Sequence, residues 1–383
     1  MDATPGIYYV WGTGPDPDLI RSIQPMIDVE MDDICPGATS LKDSWLGCLI
    51  ENRNWDAITA LVIRLLPNLS TLTLPYYSKQ DPGGLAFLPF VLYQATHQRF
   101  FTCQPKEFLL KLRHLRILSC QGRTTPLVDI LPVLRLESMR SLTCSGIEVA
   151  EWHIWHIRAA PDFPHITQLS LFRADFDPSA FTEFLRKLPH LTHLSYTHYT
   201  CLFETPTDMS NMFLPCLIRE GLMPSKDSLQ ELSLVNEVQG WEQLYSGDEP
   251  LPLGSLVGFE KLRKLDASVY TLMGRAYTSQ SRLPQSHQVD GAMELSASEK
   301  SAQFVDSLPQ SLEELILQDF ESTHWPMMDA LLEKRRKGKL RKLSTITLVP
   351  HDIMGKEIHR QQDLAKYVHE GKTSGIAVAL GLS

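Results

Sequence analysis

The sequence predicts an α/β fold wound as a solenoid, with a curved parallel sheet on one side and helices and irregular segments on the convex side. Leucine supplies 57 of the 383 residues. Much of it falls in one recurring phrase: an apolar residue, two variable positions, an apolar residue, one variable position and a third apolar residue. The connecting stretches carry apolar residues at helical spacing.

The phrase occurs nine times: Leu69, Leu72, Leu74; Leu115, Leu118, Cys120; Met139, Leu142, Cys144; Ile166, Leu169, Leu171; Leu191, Leu194, Tyr196; Leu229, Leu232, Leu234; Leu262, Leu265, Ala267; Leu312, Leu315, Leu317; and Leu343, Ile346, Leu348. Its last two positions alternate as in a short strand with one buried face, and the first marks the turn into that strand. Each phrase therefore predicts a strand. Third positions are separated by 46, 24, 27, 25, 38, 33, 50 and 31 residues. The central separations suit leucine-rich repeats of about 20 to 29 residues, and the longer ones require insertions. A unit of this size cannot bury its own apolar face, so stacking is what builds the core.

Three connecting helices follow. Pro105 to Leu112 aligns Phe108, Leu109 and Leu112. Pro178 to Leu188 aligns Phe181, Phe184, Leu185 and Leu188. Trp325 to Lys337 aligns Met328, Leu331 and Leu332. The basic run Lys334, Arg335, Arg336, Lys337, Lys339 suits a helix C-terminus, where cations meet the negative end of the dipole. Residues 1–54, with Gly6, Gly12, Gly14, Pro15 and Pro17, then Asp28, Glu30, Asp32 and Asp33 and a short helix at 41–51, form an N-terminal cap or diverged segment. Residues 55–349 form the irregular repeat domain, with a polar insertion at about 270–303, and residues 350–383 a C-terminal cap or tail.

Composition narrows the function classes. The 36 Lys and Arg against 45 Asp and Glu give a net charge of -9, which disfavours phosphate-backbone and acidic-membrane binding. Seven cysteines at irregular spacing make no zinc motif, and with no apolar stretch near 20 residues they predict a cytoplasmic or nuclear protein.

Three segments, Leu66 to Leu74, Phe163 to Leu171 and Leu188 to Tyr196, share an apolar-Pro-x-apolar-x-x-Leu-x-apolar form. In this form the chain resembles the leucine-rich repeat domains of fungal F-box proteins, over about residues 55–349. The resemblance implies adaptor work, with substrate selection for ubiquitination and a ubiquitin-ligase adaptor as partner. Residues 1–54 contain no recognisable F-box.

Residues between the buried positions point to the opposite, concave face. The candidate partner-binding residues there are Gln168, Ser170, Phe172, Arg173, His193, Ser195, Thr197, His198, Glu231, Ser233 and Asn236, which offer donors, acceptors, one aromatic and one guanidinium. His190, His193 and His198 lack an oriented acidic or thiol partner for metal. Ser195 beside His193 lacks a nucleophile elbow. Gly12 to Pro15 and Gly371 to Ser374 read as flexible turns and not phosphate loops. In the segment Trp152 to His156 the tryptophans read as the inward face of a helix, with His153 and His156 at its boundary. The sequence thus predicts a noncatalytic protein-recognition or adaptor scaffold without a cofactor or metal. A small-molecule-binding protein or enzyme on the same scaffold, and a structural subunit of a larger assembly, stay open as alternatives.

Overall fold

A computed structural model describes residues 55–75, 109–118, 125–199, 213–236, 251–274, 297–350 and 357–381, with isolated helical positions before residue 50. The strands are β1 (Thr71–Pro75), β2 (His114–Leu118), β3 (Thr125–Pro126), β4 (Ser141–Ser145), β5 (Ile147–Val149), β6 (Gln168–Phe176), β7 (His193–His198), β8 (Glu231–Asn236), β9 (Lys264–Ser268), β10 (Glu314–Phe320), β11 (Thr345–Pro350) and β12 (Ala377–Leu380). The helices are α1 (Trp55–Leu65), α2 (Leu131–Leu134), α3 (Ile154–Ala159), α4 (Pro178–Arg186), α5 (Pro215–Gly221), α6 (Val269–Met273), α7 (Ala297–Asp306), α8 (Trp325–Arg336) and α9 (Glu357–Ser374).

The chain divides into two units. One comprises Met1–Leu72, Tyr77–Arg113 and Pro132–Met139. Its described core includes Ala57, Ala60, Leu61 and Ile63 of α1, together with Leu109, Leu112, Val133, Leu136 and Met139. The other comprises Thr73–Tyr76, His114–Leu131 and Arg140–Ser383, and carries most of the sheet. The strands run in the order β1-β2-β4-β6-β7-β8-β9-β10-β11-β12, with β3 and β5 forming a short side ladder next to β6. From β2 onward the pairings are parallel.

These findings correct the expected fold and the family resemblance. Strands on the main path begin 43, 27, 27, 25, 38, 33, 50, 31 and 32 residues apart, so no single period relates them. The architecture is an α/β fold whose parallel sheet of ten to twelve strands is flanked by helices. It replaces the leucine-rich repeat solenoid, and the F-box-like reading goes with it. The physical reason lies in the phrase itself. Two apolar residues one position apart, entered by an apolar turn residue, describe any short parallel strand with one buried face, whatever the length of the connection before it.

At the level of single strands the phrases mark strand positions closely. Leu142 and Cys144, Leu169 and Leu171, Leu194 and Tyr196, Leu232 and Leu234, Leu265 and Ala267, Leu315 and Leu317, and Ile346 and Leu348 are all buried. One phrase is misaligned: β2 buries Leu115 and Ile117, and Leu118 is exposed. Its true members are Leu112, Leu115 and Ile117, and Cys120 lies outside the described residues. Because side chains alternate, a one-residue shift moves a residue to the other face.

The turns are fixed by a recurring bond. Thr167, Thr192, Gln230, Arg263, Glu313, Ser344 and Ala377 each donate a backbone N–H to the carbonyl of the preceding turn. A serine just before the phrase reinforces two of these turns, Ser228 donating to Leu191 O at 2.9 Å and Ser311 to Leu262 O at 2.7 Å. These buried carbonyls are thereby satisfied.

Among the helices, α4 starts on Asp177, whose carboxylate accepts from Ala180 N at 2.8 Å, with Pro178 in its first turn. This is a standard N-terminal stop for orphan amides. It buries Phe181, Phe184 and Leu185, and α8 buries Met328, Leu331 and Leu332, as their spacing predicts. Of the expected helix 105–112, residues 105–108 lie outside the described residues, and Leu109 and Leu112 are buried in a turn. Most of the expected helix 41–51 also lies outside them. At the two ends of the polar insertion, α6 and α7 occupy 269–273 and 297–306, and Ser301 is fully buried. Gly371 to Ser374 belong to α9 and not to a turn; the turn follows at Gly375, with φ 71°. No described helix is long and apolar enough to cross a membrane.

Candidate functional site

All-parallel sheets are usually covered on both faces. Here alternate strand positions stay accessible from β2 to β11: Arg116, Thr143, Ser170, Ser195, Ser233, Asp266, Ile316 and Thr347 are exposed or half-buried, while their strand neighbours are buried. Strand register aligns these side chains in rows. Gln168, His193, Glu231, Lys264 and Glu314 make one row, and Ser170, Ser195, Ser233 and Asp266 the next.

Neighbours along the rows are linked. His193 Nε2 lies 3.3 Å from Glu231 Oε1, and Lys264 Nζ lies 3.1 Å from Glu314 Oε2. Ser233 donates to Asp266 Oδ2 at 3.1 Å, and Gln318 Nε2 donates to Asp266 Oδ1 at 2.9 Å. Accessible pairs of this kind contribute little stability, about 0–1 kcal/mol each. Their consequence is orientation: they hold the polar side chains upright in a fixed pattern of donors and acceptors.

A bulge shapes the middle of the face. Strict alternation places Arg173 inward, yet both Phe172 and Arg173 are exposed and Ala174 is buried. Arg173 adopts φ 49°, and the register between β6 and β7 shifts between Leu171 and Ala174. The extra residue projects the guanidinium outward, 5.8 Å from the Tyr199 ring centre, while Phe176 returns to the core.

Of the sequence-predicted residues, Gln168, Ser170, Phe172, Arg173, His193, Ser195, Glu231 and Ser233 share this face. Thr197 has the parity of His193 and Ser195 but is buried, at 7% exposed, and His198 points into the core at 1% exposed. His198 accepts or donates at Nδ1 with Tyr196 Oη, 2.8 Å away, inside an aromatic cluster with Phe176, Phe181 and Phe213. Burial, followed by the nearby Asp175 charge, holds the Tyr196 hydroxyl well above its ordinary pKa, so it stays protonated. Asn236 is half-buried, with its Oδ1 enclosed and lacking a hydrogen-bond partner.

The histidine chemistry is equally specific. His193 places Nδ1 2.7 Å from Thr192 Oγ1 and Nε2 against Glu231, so neither ring nitrogen engages Ser195 as a base would. Among the described residues, no group of three or more His, Cys, Asp and Glu side chains is arranged to hold a metal. The Cys144 thiol is fully buried, and desolvation pushes its pKa far up, which makes it a poor nucleophile.

A second feature runs against expectation. Trp152 and Trp155 are 63% and 71% exposed, and His153 is 1% exposed. The segment buries His153, Ile157 and Ala160, a stripe at spacings of four and three, which turns the tryptophans outward. His153 is held inside because its Nδ1 accepts from Ala150 N at 3.0 Å. The two indoles line an open cleft of about 530 Å³ together with Glu151, Ile154, Arg158, Asp177 and Ser179. The expected inward placement of these tryptophans is corrected by the buried His153, Ile157, Ala160 stripe, which is itself visible in the sequence. No protein-family model matches this sequence, and no curated protein is significantly similar to it.

Proposed function

We propose that this chain is a noncatalytic recognition protein that holds a protein partner against the polar face of its sheet. The observation that carries the reading is the accessible polar face of a parallel sheet, with Phe172 42% exposed beside an outward Arg173. Aromatic and arginine side chains are the usual energetic anchors of interfaces, and the surrounding serine, glutamine and carboxylate rows suit a hydrogen-bonding rim. The bulge that turns Arg173 outward adopts a backbone conformation that is costly for a non-glycine residue, which fits a functional position. We place the protein in the cytoplasm or nucleus, a reading supported by the free thiols of Cys144 and Cys216, which suit a reducing compartment.

Site-specific photo-crosslinking in cells tests the reading. A benzophenone side chain at Ser195 or Ser233 is expected to trap the same protein, and one at the exposed Arg186 of α4 is not. Adding Phe172→Ala and Arg173→Ala is expected to abolish the adduct. Equal trapping from Ser195 and Arg186, or none from the sheet face, overturns it.

A further inference from the structure

We propose that the open cleft beside α3 and the start of α4 binds a neutral saccharide. Tryptophan is highly buried on average, yet Trp152 and Trp155 leave most of their surface in water only three residues apart. The cleft volume of about 530 Å³ falls within the range of small-molecule sites, about 300–1,000 Å³. Two features select the ligand class.

The first is the pair of flat, exposed indoles. The face of an indole carries partial negative charge and attracts polarised C–H groups, such as those on the apolar face of a pyranose ring. The second is the polar rim. Glu151 and Asp177 supply carboxylate oxygens that only accept hydrogen bonds, and Asp177 spends one of them on Ala180 N. Arg158 adds donors, and Ser179 adds a hydroxyl. Sugar hydroxyls donate to the first group and accept from the second.

The same features disfavour other occupants. The carboxylates repel phosphate and other anions. A proline-rich peptide presents mainly carbonyls and offers few donors to Glu151 and Asp177. A quaternary ammonium needs an enclosing aromatic cage. These indoles are open, and the Arg158 guanidinium already lies 6.0 Å from the Trp155 ring centre while paired with Glu183 at 3.3 Å.

The test titrates the full chain with cello-, chito-, malto-, xylo- and mannotetraose by calorimetry and tryptophan fluorescence. A proline-rich decapeptide and a trimethyl-lysine peptide serve as competing probes. At least one tetrasaccharide is expected to bind. Trp152→Ala or Trp155→Ala is expected to weaken it about tenfold or more, with Trp155→Phe retaining part of the affinity. Because both tryptophans are exposed, the variants are expected to keep the wild-type melting temperature, and Trp155→Phe serves as the reading if an alanine variant fails to fold. No binding by any of the five sugars, a smaller loss in both alanine variants, or binding of a peptide probe in place of the sugars overturns the proposal.

Discussion

His324 is fully buried where the chain enters α8, and its Nδ1 accepts from Glu321 N at 2.9 Å. The rings of Phe320 and Tyr270 lie 5.6 and 5.9 Å away, and Tyr270 donates to the Glu321 carboxylate at 3.0 Å. Burial pushes the imidazole pKa down from 6.5 to about 4. The folded state therefore holds His324 neutral while the unfolded chain protonates it, so the unfolded state binds more protons below pH 6.5. The stability associated with neutral His324 is complete above about pH 6.5 and is lost as pH falls through about 4, an effect of about 3 kcal/mol. Urea unfolding at about pH 7 and about pH 4.5 checks this. The wild type is expected to lose about 2–3 kcal/mol more over that interval than His324→Gln, and equal losses would show that another group governs acid stability. Elsewhere in the chain, adjacent residues of similar character take opposite environments. Ile117 and Leu118 are adjacent and equally apolar, yet only Ile117 is buried. Composition does not separate them; the strand register does. Trp152 and His153 are reversed from expectation because a backbone N–H at Ala150 gives the buried imidazole a donor, a bond that hydropathy does not encode.

Elements meet through positions that a one-dimensional pattern marks only weakly. The contact of α4 with α5 depends on Gly221, where an added Cβ meets Leu185 Cβ and Thr182 O, each at 2.9 Å. Thr182 also donates to Leu217 O at 3.2 Å, which fixes the two helices at this distance. Gly221→Ala is expected to destabilise the protein by about 1–3 kcal/mol in chemical denaturation. Gly258→Ala, with nothing within 4 Å of the new Cβ, is expected to be close to neutral. If the two substitutions cost the same, the helices are not held in close approach at Gly221. The spacing of Phe181, Phe184 and Leu185 foretold which side of α4 is buried, because an apolar stripe must find a partner. It did not foretell α5, in which Gly221 supplies closeness and not apolar surface. The outward Arg173 has the same origin, since a bulge is a local break in the alternation on which strand reading depends.

For the whole molecule, the segment after residue 350 decides how the sheet ends. In sequence it reads as a C-terminal cap or tail, since Ala377–Leu380 lacks the recurring phrase. Yet β12 pairs with β11 from Thr345↔Ala377 to Leu348↔Leu380. Before it, α9 closes over α8: Tyr367 stacks on Trp325 at 4.6 Å and donates to Asp329 Oδ1 at 2.9 Å, and Arg336 pairs with Glu370 at 3.0 Å. Removing both elements leaves Thr345, Ile346, Thr347, Leu348 and Val349 as an uncharged edge of β-branched and aliphatic residues, the kind of edge that pairs with other chains. It also uncovers Trp325, whose stacking partner goes with α9. A chain ending at Pro350 is therefore expected to melt several degrees lower than the full chain and to form oligomers by light scattering. Adding Thr347→Lys is expected to restore monodispersity without restoring the melting temperature, because a charge blocks edge pairing but replaces none of the lost packing. A truncated chain that stays monomeric with an unchanged melting temperature would mean that the sheet ends at β11 and that α9 and β12 are a dispensable tail.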